Sequence, residues 1–403
     1  MNRKAYLWVA TIHLLFLLYF LLTSVFFYLA LQQGNSGVTF KFLGGGDDGY
    51  FYWVEALKVA DGDAATLTSI YPLLIGKLIK FTGVESPFLI RVFNFFGFIL
   101  LYIVSLLLLK TFHKMDLLNA KTKFNEPLNS YLLLTVCYCL YASLVMNLNF
   151  SIIRDVWIYS AYLMSLTLAI MIIFNHKANK IFWLALLLPS LWFLGELRGY
   201  ALVSFMGSIA IFFVYRRILR TRKSAILTLI ALLGMLGVYY TFFMDQKVFY
   251  LNKSLRDALN YRHSAFSDMN GSQMLIRLDE GNYLMFLVRY VHSYLGNMIG
   301  PLPWHIGSLN TLVIFLVESI PMMLILWFIY RHRHRLTDPL KFALLHAFVW
   351  FGFIAITNDN LGTATRLRPV GWIPILLVFA KLYADHAAER RQASQLSPTG
   401  KWK

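Results

Sequence analysis

Residues 5–31 form 27 consecutive positions without a formal charge, and about 20 apolar residues in a helix cross the hydrocarbon core of a bilayer. Inside that core a backbone must satisfy its own hydrogen bonds, which leaves only helices and closed barrels. The run lacks the alternation of a barrel strand and reads as a helix. Its apolar stretch also exceeds the usual 7–15 or so residues of a secretory signal, so a retained first span is expected. The bias holds throughout: 58% of the 403 residues are hydrophobic and 14% charged, against about 45–50% and 25% in a soluble domain. An ordinary soluble enzyme is thereby excluded.

Further apolar runs lie at 88–109, 131–148, 156–174, 181–194, 200–215, 225–243, 310–330, 342–357 and 370–382. The expected fold is an all-α polytopic membrane protein with about ten transmembrane helices, in one transmembrane domain over 1–388 with a mobile polar tail at 389–403. The runs at 181–194, 200–215, 342–357 and 370–382 are short for a crossing, so tilting, breaking or re-entry is expected among them. Lys and Arg concentrate on the cytoplasmic side of membrane proteins. With the N-terminus inside, the cytoplasmic segments hold 22 basic and five acidic residues, and everything else holds 15 of each. The net charge of +17 would otherwise admit nucleic acid as a partner. Confined to one membrane face, it is a topology signal, and no nucleic acid is expected. The reading places the protein in the plasma (inner) membrane, among membrane lipids, with both termini cytoplasmic.

Two outer loops are long, 32–87 and 245–309. In the first, Phe51, Val54 and Leu57 share one helical face. Ile70, Leu73, Leu74, Leu78 and Phe81 share another, with Lys77 and Lys80 placed to snorkel. Both segments read as interfacial helices on the outer leaflet. Ahead of them stands Gly44-Gly45-Gly46-Asp47-Asp48-Gly49-Tyr50. The glycines permit close approach of a ligand. The adjacent carboxylates can deprotonate an acceptor hydroxyl or hold a divalent cation, the one cofactor suggested. The plain alternative is a solvated turn with an Asp helix cap.

Other outer positions carry ionisable side chains where the membrane makes them costly. Arg154 and Asp155 open the fourth span. Glu196 and Arg198 stand at the next outer junction, where they either compensate each other or serve a ligand. Arg366 and Arg368 occupy the last outer loop against the positive-inside bias. Arginine binds phosphate bidentately, which makes a lipid phosphate or pyrophosphate the expected ligand and ordinary headgroup contact the alternative. His305, beside the Pro301-Leu302-Pro303-Trp304 turn, is an acid–base candidate. Cys137 and Cys139 are too few and too close for a disulfide framework or zinc site and read as packing residues. His332 and His334, interleaved with Arg331, Arg333 and Arg335, read as a cytoplasmic basic stop. Without a P-loop, G-x-S-x-G, H-E-x-x-H or dinucleotide fingerprint, a nucleotide-hydrolysing pump is not expected.

The order of these parts resembles the GT-C superfamily of membrane glycosyltransferases. The likeness is carried by Asp47-Asp48 after the first span, Gly49-Tyr50-Phe51-Tyr52-Trp53-Val54-Glu55-Ala56, Tyr71-Pro72-Leu73-Leu74 to Phe81-Thr82-Gly83, and Arg91-Val92-Phe93-Asn94 to Gly97. It covers about residues 42–101, a quarter of the chain. The resemblance implies an enzyme that transfers a sugar or oligosaccharide from a polyprenyl phosphate or pyrophosphate to a glycan or lipid acceptor. It places the reaction on the extracytoplasmic side, in cell-surface polysaccharide biosynthesis. Asp47 or Asp48 would then be the base or metal ligand, and Asp155 matches the further acidic residue common in the family. Segments 300–304 and 362–368 are also similar to membrane proteins that build bacterial surface polysaccharides, Wzy-type polymerases among them. The large outer C-terminal domain of oligosaccharyltransferases is not matched, so protein N-glycosylation is not expected.

A lipid-linked-oligosaccharide flippase or another secondary transporter would use the same arginines to carry a pyrophosphate headgroup. Transport usually rests on repeated halves and sites near the midplane, whereas no repeat is evident and the ionisable residues gather at outer span ends. A non-catalytic scaffold leaves the Gly-Gly-Gly-Asp-Asp run unexplained.

Overall fold

The structure, a computed structural model, describes residues 3–41, 48–118, 127–176, 179–218, 233–264, 272–279 and 282–396. Among these the regular structure is helical, with β-pairing limited to isolated bridges such as Thr39 with Ser151. The helices in chain order are α1 (Arg3–Gln32), α2 (Gly49–Asp61), α3 (Tyr71–Thr82), α4 (Pro87–Leu118), α5 (Pro127–Leu140), α6 (Ala142–Asn149), α7 (Asp155–Phe174), α8 (Lys180–Leu197) and α9 (Gly199–Ile218). Then come α10 (Leu233–Phe242), α11 (Leu255–Ser264), α12 (Tyr283–Ile299), α13 (Leu309–Ile314), a π-helical turn (Phe315–Ser319), α14 (Ile320–Arg331), α15 (Asp338–Thr357), α16 (Leu361–Leu367) and α17 (Pro369–Leu396).

Among the described residues, eight stretches are long and apolar enough to cross a membrane, or nine if α5 and α6, bent by 60°, count as one. The chain is thus a helical protein of the multi-pass membrane type. Many apolar side chains of α1, α8, α9 and α14 are exposed, as lipid-facing positions require. The first eight residues of the expected span at 225–243 lie outside the described residues, and the rest forms α10 and its end. The four runs that look short are continuous helices of 18, 20, 20 and 28 residues. Their polar ends, such as Gly195-Glu196 in α8 and Arg216-Arg217 in α9, extend the helix beyond its apolar stretch. In the same way α17 passes Glu389 and ends at Leu396.

The break falls instead within 131–148. Tyr141 leaves the helical region (ψ 94°) between α5 and α6, although residues 138–144 contain neither Pro nor Gly. Tertiary bonds hold the swivelled α6. Asn149 takes a hydrogen bond from Thr23 Oγ1 (2.7 Å), and its carbonyl accepts from the buried Arg91 guanidinium.

Two compact units make up the chain: residues 1–197, 324–343 and 373–403, and residues 198–323 and 344–372. In the first unit α7 is the core helix, buried on most of its surface. It meets α4 closely because Gly97 has no side chain; a Cβ there would lie 3.0 Å from Val156. Ser160 also donates to the Gly97 carbonyl (3.0 Å). Tyr19 of α1 stacks on Phe98 at 4.0 Å and donates to the Tyr138 carbonyl at 3.0 Å, tying α1 to α4 and α5. The core of the second unit gathers Leu259, Met274, Ile276, Leu278, Phe286 and Leu361.

Candidate functional site

The first unit contains the paired helices expected after the first span. Helices α2 and α3 each end on a glycine at positive φ, Gly62 (86°) and Gly83 (67°), whose N–H bonds back to Lys58 and Ile79 carbonyls. This is the αL termination that glycine permits. The two helices pack through Gly76, where a Cβ would come within 2.6 Å of the Ala56 carbonyl oxygen. Glu55 closes the connection, accepting from Lys58 Nζ (2.7 Å) and the Thr66 amide. Those two bonds, Lys58 first, hold its carboxyl below the usual carboxylate range.

Asp48 occupies the N-cap position of α2. Its carbonyl accepts from Tyr52 N–H (3.0 Å), while its exposed carboxylate makes no capping bond. One turn on, buried Tyr52 lies beneath the Arg154 guanidinium, 5.5 Å from ring centroid to Cζ. A cation over an aromatic face is attracted to the ring quadrupole. Tyr52 also meets Tyr71 of α3 edge-on at 5.4 Å. The Tyr71 hydroxyl donates towards Asn94 Oδ1 and the Ile152 carbonyl, each at 3.0 Å. Asn94 in turn donates to the Ile153 carbonyl (2.9 Å) and accepts from Trp157 Nε1 (3.0 Å). The chain entering α7 is therefore pinned to α3 and α4 on both sides of Arg154.

Arg91, one turn before Asn94 on α4, completes this scaffold. Its fully buried guanidinium donates to the carbonyls of Gly37, Val38, Asn149 and Phe150. It thereby fastens the start of the connection after α1 to the segment leading into α7. Asp155, the first residue of α7, is buried at a helix N-terminus, where the macrodipole favours negative charge. Glu196 reaches the same module through its backbone: its carbonyl accepts from Ile70 N–H (3.1 Å), just before α3. The first unit thus brings Asp48, Arg154, Asp155 and the Glu196 backbone onto one framework. Asp47 and its glycine-rich approach lie outside the described residues.

The other expected positions belong to the second unit. Arg198 lies over Tyr200 (5.3 Å). Tyr200 stacks on Trp350 at 5.5 Å, and Trp350 Nε1 donates to the Leu367 carbonyl at 2.8 Å. Arg366 is half-buried on α16. Arg368 is fully buried, where Nη1 donates to the Gly300 carbonyl (2.6 Å) and to Glu318 Oε1 (3.1 Å). Its visible work is to anchor the 300–303 turn to the π-helical turn. His305 pairs with His292, their Nε2 atoms 3.1 Å apart.

Several structuring residues escape a reading of the sequence alone. Glu318 carries a usable signal, being a lone acid within an apolar run. Arg262 carries none. It is buried and donates to Ile276, Ala355 and Asn358 carbonyls, to Ser293 Oγ and to Asp359. Burial pulls its guanidinium down to about 10 despite that carboxylate. Among the described residues, no three His, Cys, Asp or Glu side chains gather closely enough to hold a metal ion. The chain matches no known protein family, no curated protein and no solved structure.

Proposed function

We propose that the chain is a membrane glycosyltransferase of the GT-C kind. It transfers a sugar or oligosaccharide from a polyprenyl-(pyro)phosphate carrier to a glycan or lipid acceptor on the extracytoplasmic side, in the building of cell-surface polysaccharide. The observation that carries this reading is the attachment of the Asp48 helix to the Arg154–Asp155 corner through Tyr52. An acid and a positioned cation held on one framework are what the reaction needs. The acceptor hydroxyl oxygen attacks the anomeric carbon, the bond from that carbon to the phosphate oxygen breaks, and the lipid phosphate leaves with the electron pair. Asp48 or Asp47 takes the hydroxyl proton, and Arg154 stabilises the charge that develops on the phosphate. A single displacement of this kind inverts the anomeric centre. Arg198 and Arg366 remain phosphate-ligand candidates of the second unit, to be tested separately.

The test replaces Asp47 and Asp48 singly by Asn and measures transfer from a polyprenyl-linked sugar by the purified, lipid-reconstituted protein. Loss of a general base is expected to slow transfer by about 10²–10⁴-fold in one of the two variants. Normal turnover in both, at wild-type expression, overturns the assignment. One observation favours a second reading, transport of the lipid-linked donor: Lys381 is buried between Asp116 (2.8 Å) and Asp385 within helices long enough to span. Translocation of a labelled donor in vesicles without transfer, unaffected by Asp48→Asn, would select that reading.

A further inference from the structure

After α12 the chain turns through Gly300 and Pro301, and a short 3₁₀ turn, Pro303–His305, comes back against the helix it has just left. Three contacts hold it. Leu302 N–H donates to His305 Nδ1 (3.3 Å). Trp304 Nε1–H donates to His292 Nε2 (2.8 Å). The two imidazoles lie nearly parallel, at 19°, with their Nε2 atoms 3.1 Å apart.

These contacts determine where the protons are. An indole N–H and a backbone N–H can only donate, so His292 Nε2 and His305 Nδ1 are both lone-pair acceptors. His305 therefore carries its proton on Nε2 and donates it to His292, whose own proton sits on Nδ1. With both lone pairs engaged, neither ring can serve as base or metal ligand while the turn is closed. A further proton on either ring places a donor against a donor. His305 Nδ1–H would face Leu302 N–H, and His292 Nε2–H would face Trp304 Nε1–H.

We propose that His292, Trp304 and His305 form an acid-sensitive latch, closed while both imidazoles are neutral, that releases residues 302–306 from α12 when either is protonated. The charges around it do not offset that conflict. Asp359 favours protonation of His292 and Arg262 opposes it, and those two groups are paired with each other. Burial, with His292 adding to it, pushes His305 down to about 4; burial also lowers His292. The sign follows from linkage. The open turn binds protons near the ordinary His value of about 6.5, the closed turn only at lower pH, so closure weakens as pH falls through the window between. The inference is independent of the glycosyltransferase reading. In the orientation read from the charges, the turn faces the outside, where acid would reach it.

The test is hydrogen exchange on the full-length protein in lipid nanodiscs, corrected for the intrinsic pH dependence of exchange. Peptides covering 302–306 are followed, with α7 peptides as an internal control. Protection should be constant above about pH 6.5, then fall by up to about tenfold per pH unit for each proton taken up. Trp304→Phe removes the donor that opposes protonation of His292, so the fall should begin at higher pH. If Trp304 only packs, that variant loses protection equally at every pH. Constant protection from pH 7.5 to 4.5 in the wild type, an unmoved transition in Trp304→Phe, or loss shared by the α7 peptides each overturns the latch.

Discussion

Replacing Arg262 by Met keeps an unbranched side chain of similar reach but removes every guanidinium donor that Arg262 places at the centre of the second unit. The substitution leaves Asp359, which is only 5% exposed, without its cation. Some compensation survives. The carboxylate still accepts from the amides of Ile276 (3.0 Å) and Leu275 (2.9 Å). The Ala355 carbonyl keeps Ser293 Oγ (2.7 Å), and the Asn358 carbonyl keeps Asn297 Nδ2 (3.1 Å). Removing one partner of a buried pair costs about 3–5 kcal/mol. The retained bonds place this case near the lower end, about 3 kcal/mol, or roughly 10²-fold in an equilibrium constant. Exchange protection of the Leu275 and Ile276 amides, which bond Asp359 directly, reads that loss locally.

The pH dependence supplies an independent check on the same variant. Burial already raises Asp359 above the usual carboxylate value, even against the pull of Arg262, and loss of Arg262 raises it further. A carboxyl whose folded-state value is raised binds extra protons in the folded state, so its penalty grows as pH rises above about 4. The deficit of Arg262→Met should therefore be larger at pH 8 than at pH 5, and Asp359→Asn added to it should recover much of the loss. A loss below tenfold at pH 8, or the same loss at both pH values, would refute the reasoning.

Two other substitutions test the framework. Gly76→Ala gains about 1 kcal/mol of helix propensity, but its Cβ meets the Ala56 carbonyl and Val59, each at 2.6 Å. Overpacking of about 1–3 kcal/mol should win, giving a lower thermal midpoint in detergent and slower transfer. Glu318→Gln leaves the buried Arg368 guanidinium beside a neutral partner, with a loss of about 3 kcal/mol expected. Glu318→Leu combined with Arg368→Met should recover most of it. A double variant that melts normally yet no longer transfers sugar would return Arg368 to the phosphate-binding role expected from the sequence.

Those substitutions also mark where a sequence of this kind is legible. The existence of α2 and α3 could be read from apolar spacing, but their packed faces could not. The expected stripes include Phe51 and Phe81, which are exposed, whereas Tyr52, Ala56, Ile75 and Gly76 are buried. In a chain that meets both lipid and its own core, apolar residues suit either side, and periodicity loses the contrast it has in water. Small residues decide instead, because Gly76 and Gly97 set how closely the backbones approach. Buried polar groups carry the complementary information. Arg154 and Asp155 were legible as costly ionisable residues, and each lies on the scaffold that holds α2. Their neighbours were not, because partnership spans the chain: Arg91 reaches residues 37–38 and 149–150, and Arg262 reaches Asp359. The bend at Tyr141 has the same origin. No local breaker marks it, and it exists because Asn149 and Phe150 must bring their carbonyls to a buried cation on another helix. For this fold, the first question to put to each intramembrane polar residue is which distant backbone it satisfies, and a catalytic role is earned only by those whose partners are already accounted for and whose polar atoms remain exposed. Asp48, exposed and without a capping bond, meets the second condition, and so does exposed Glu196, whose backbone carbonyl already serves the start of α3.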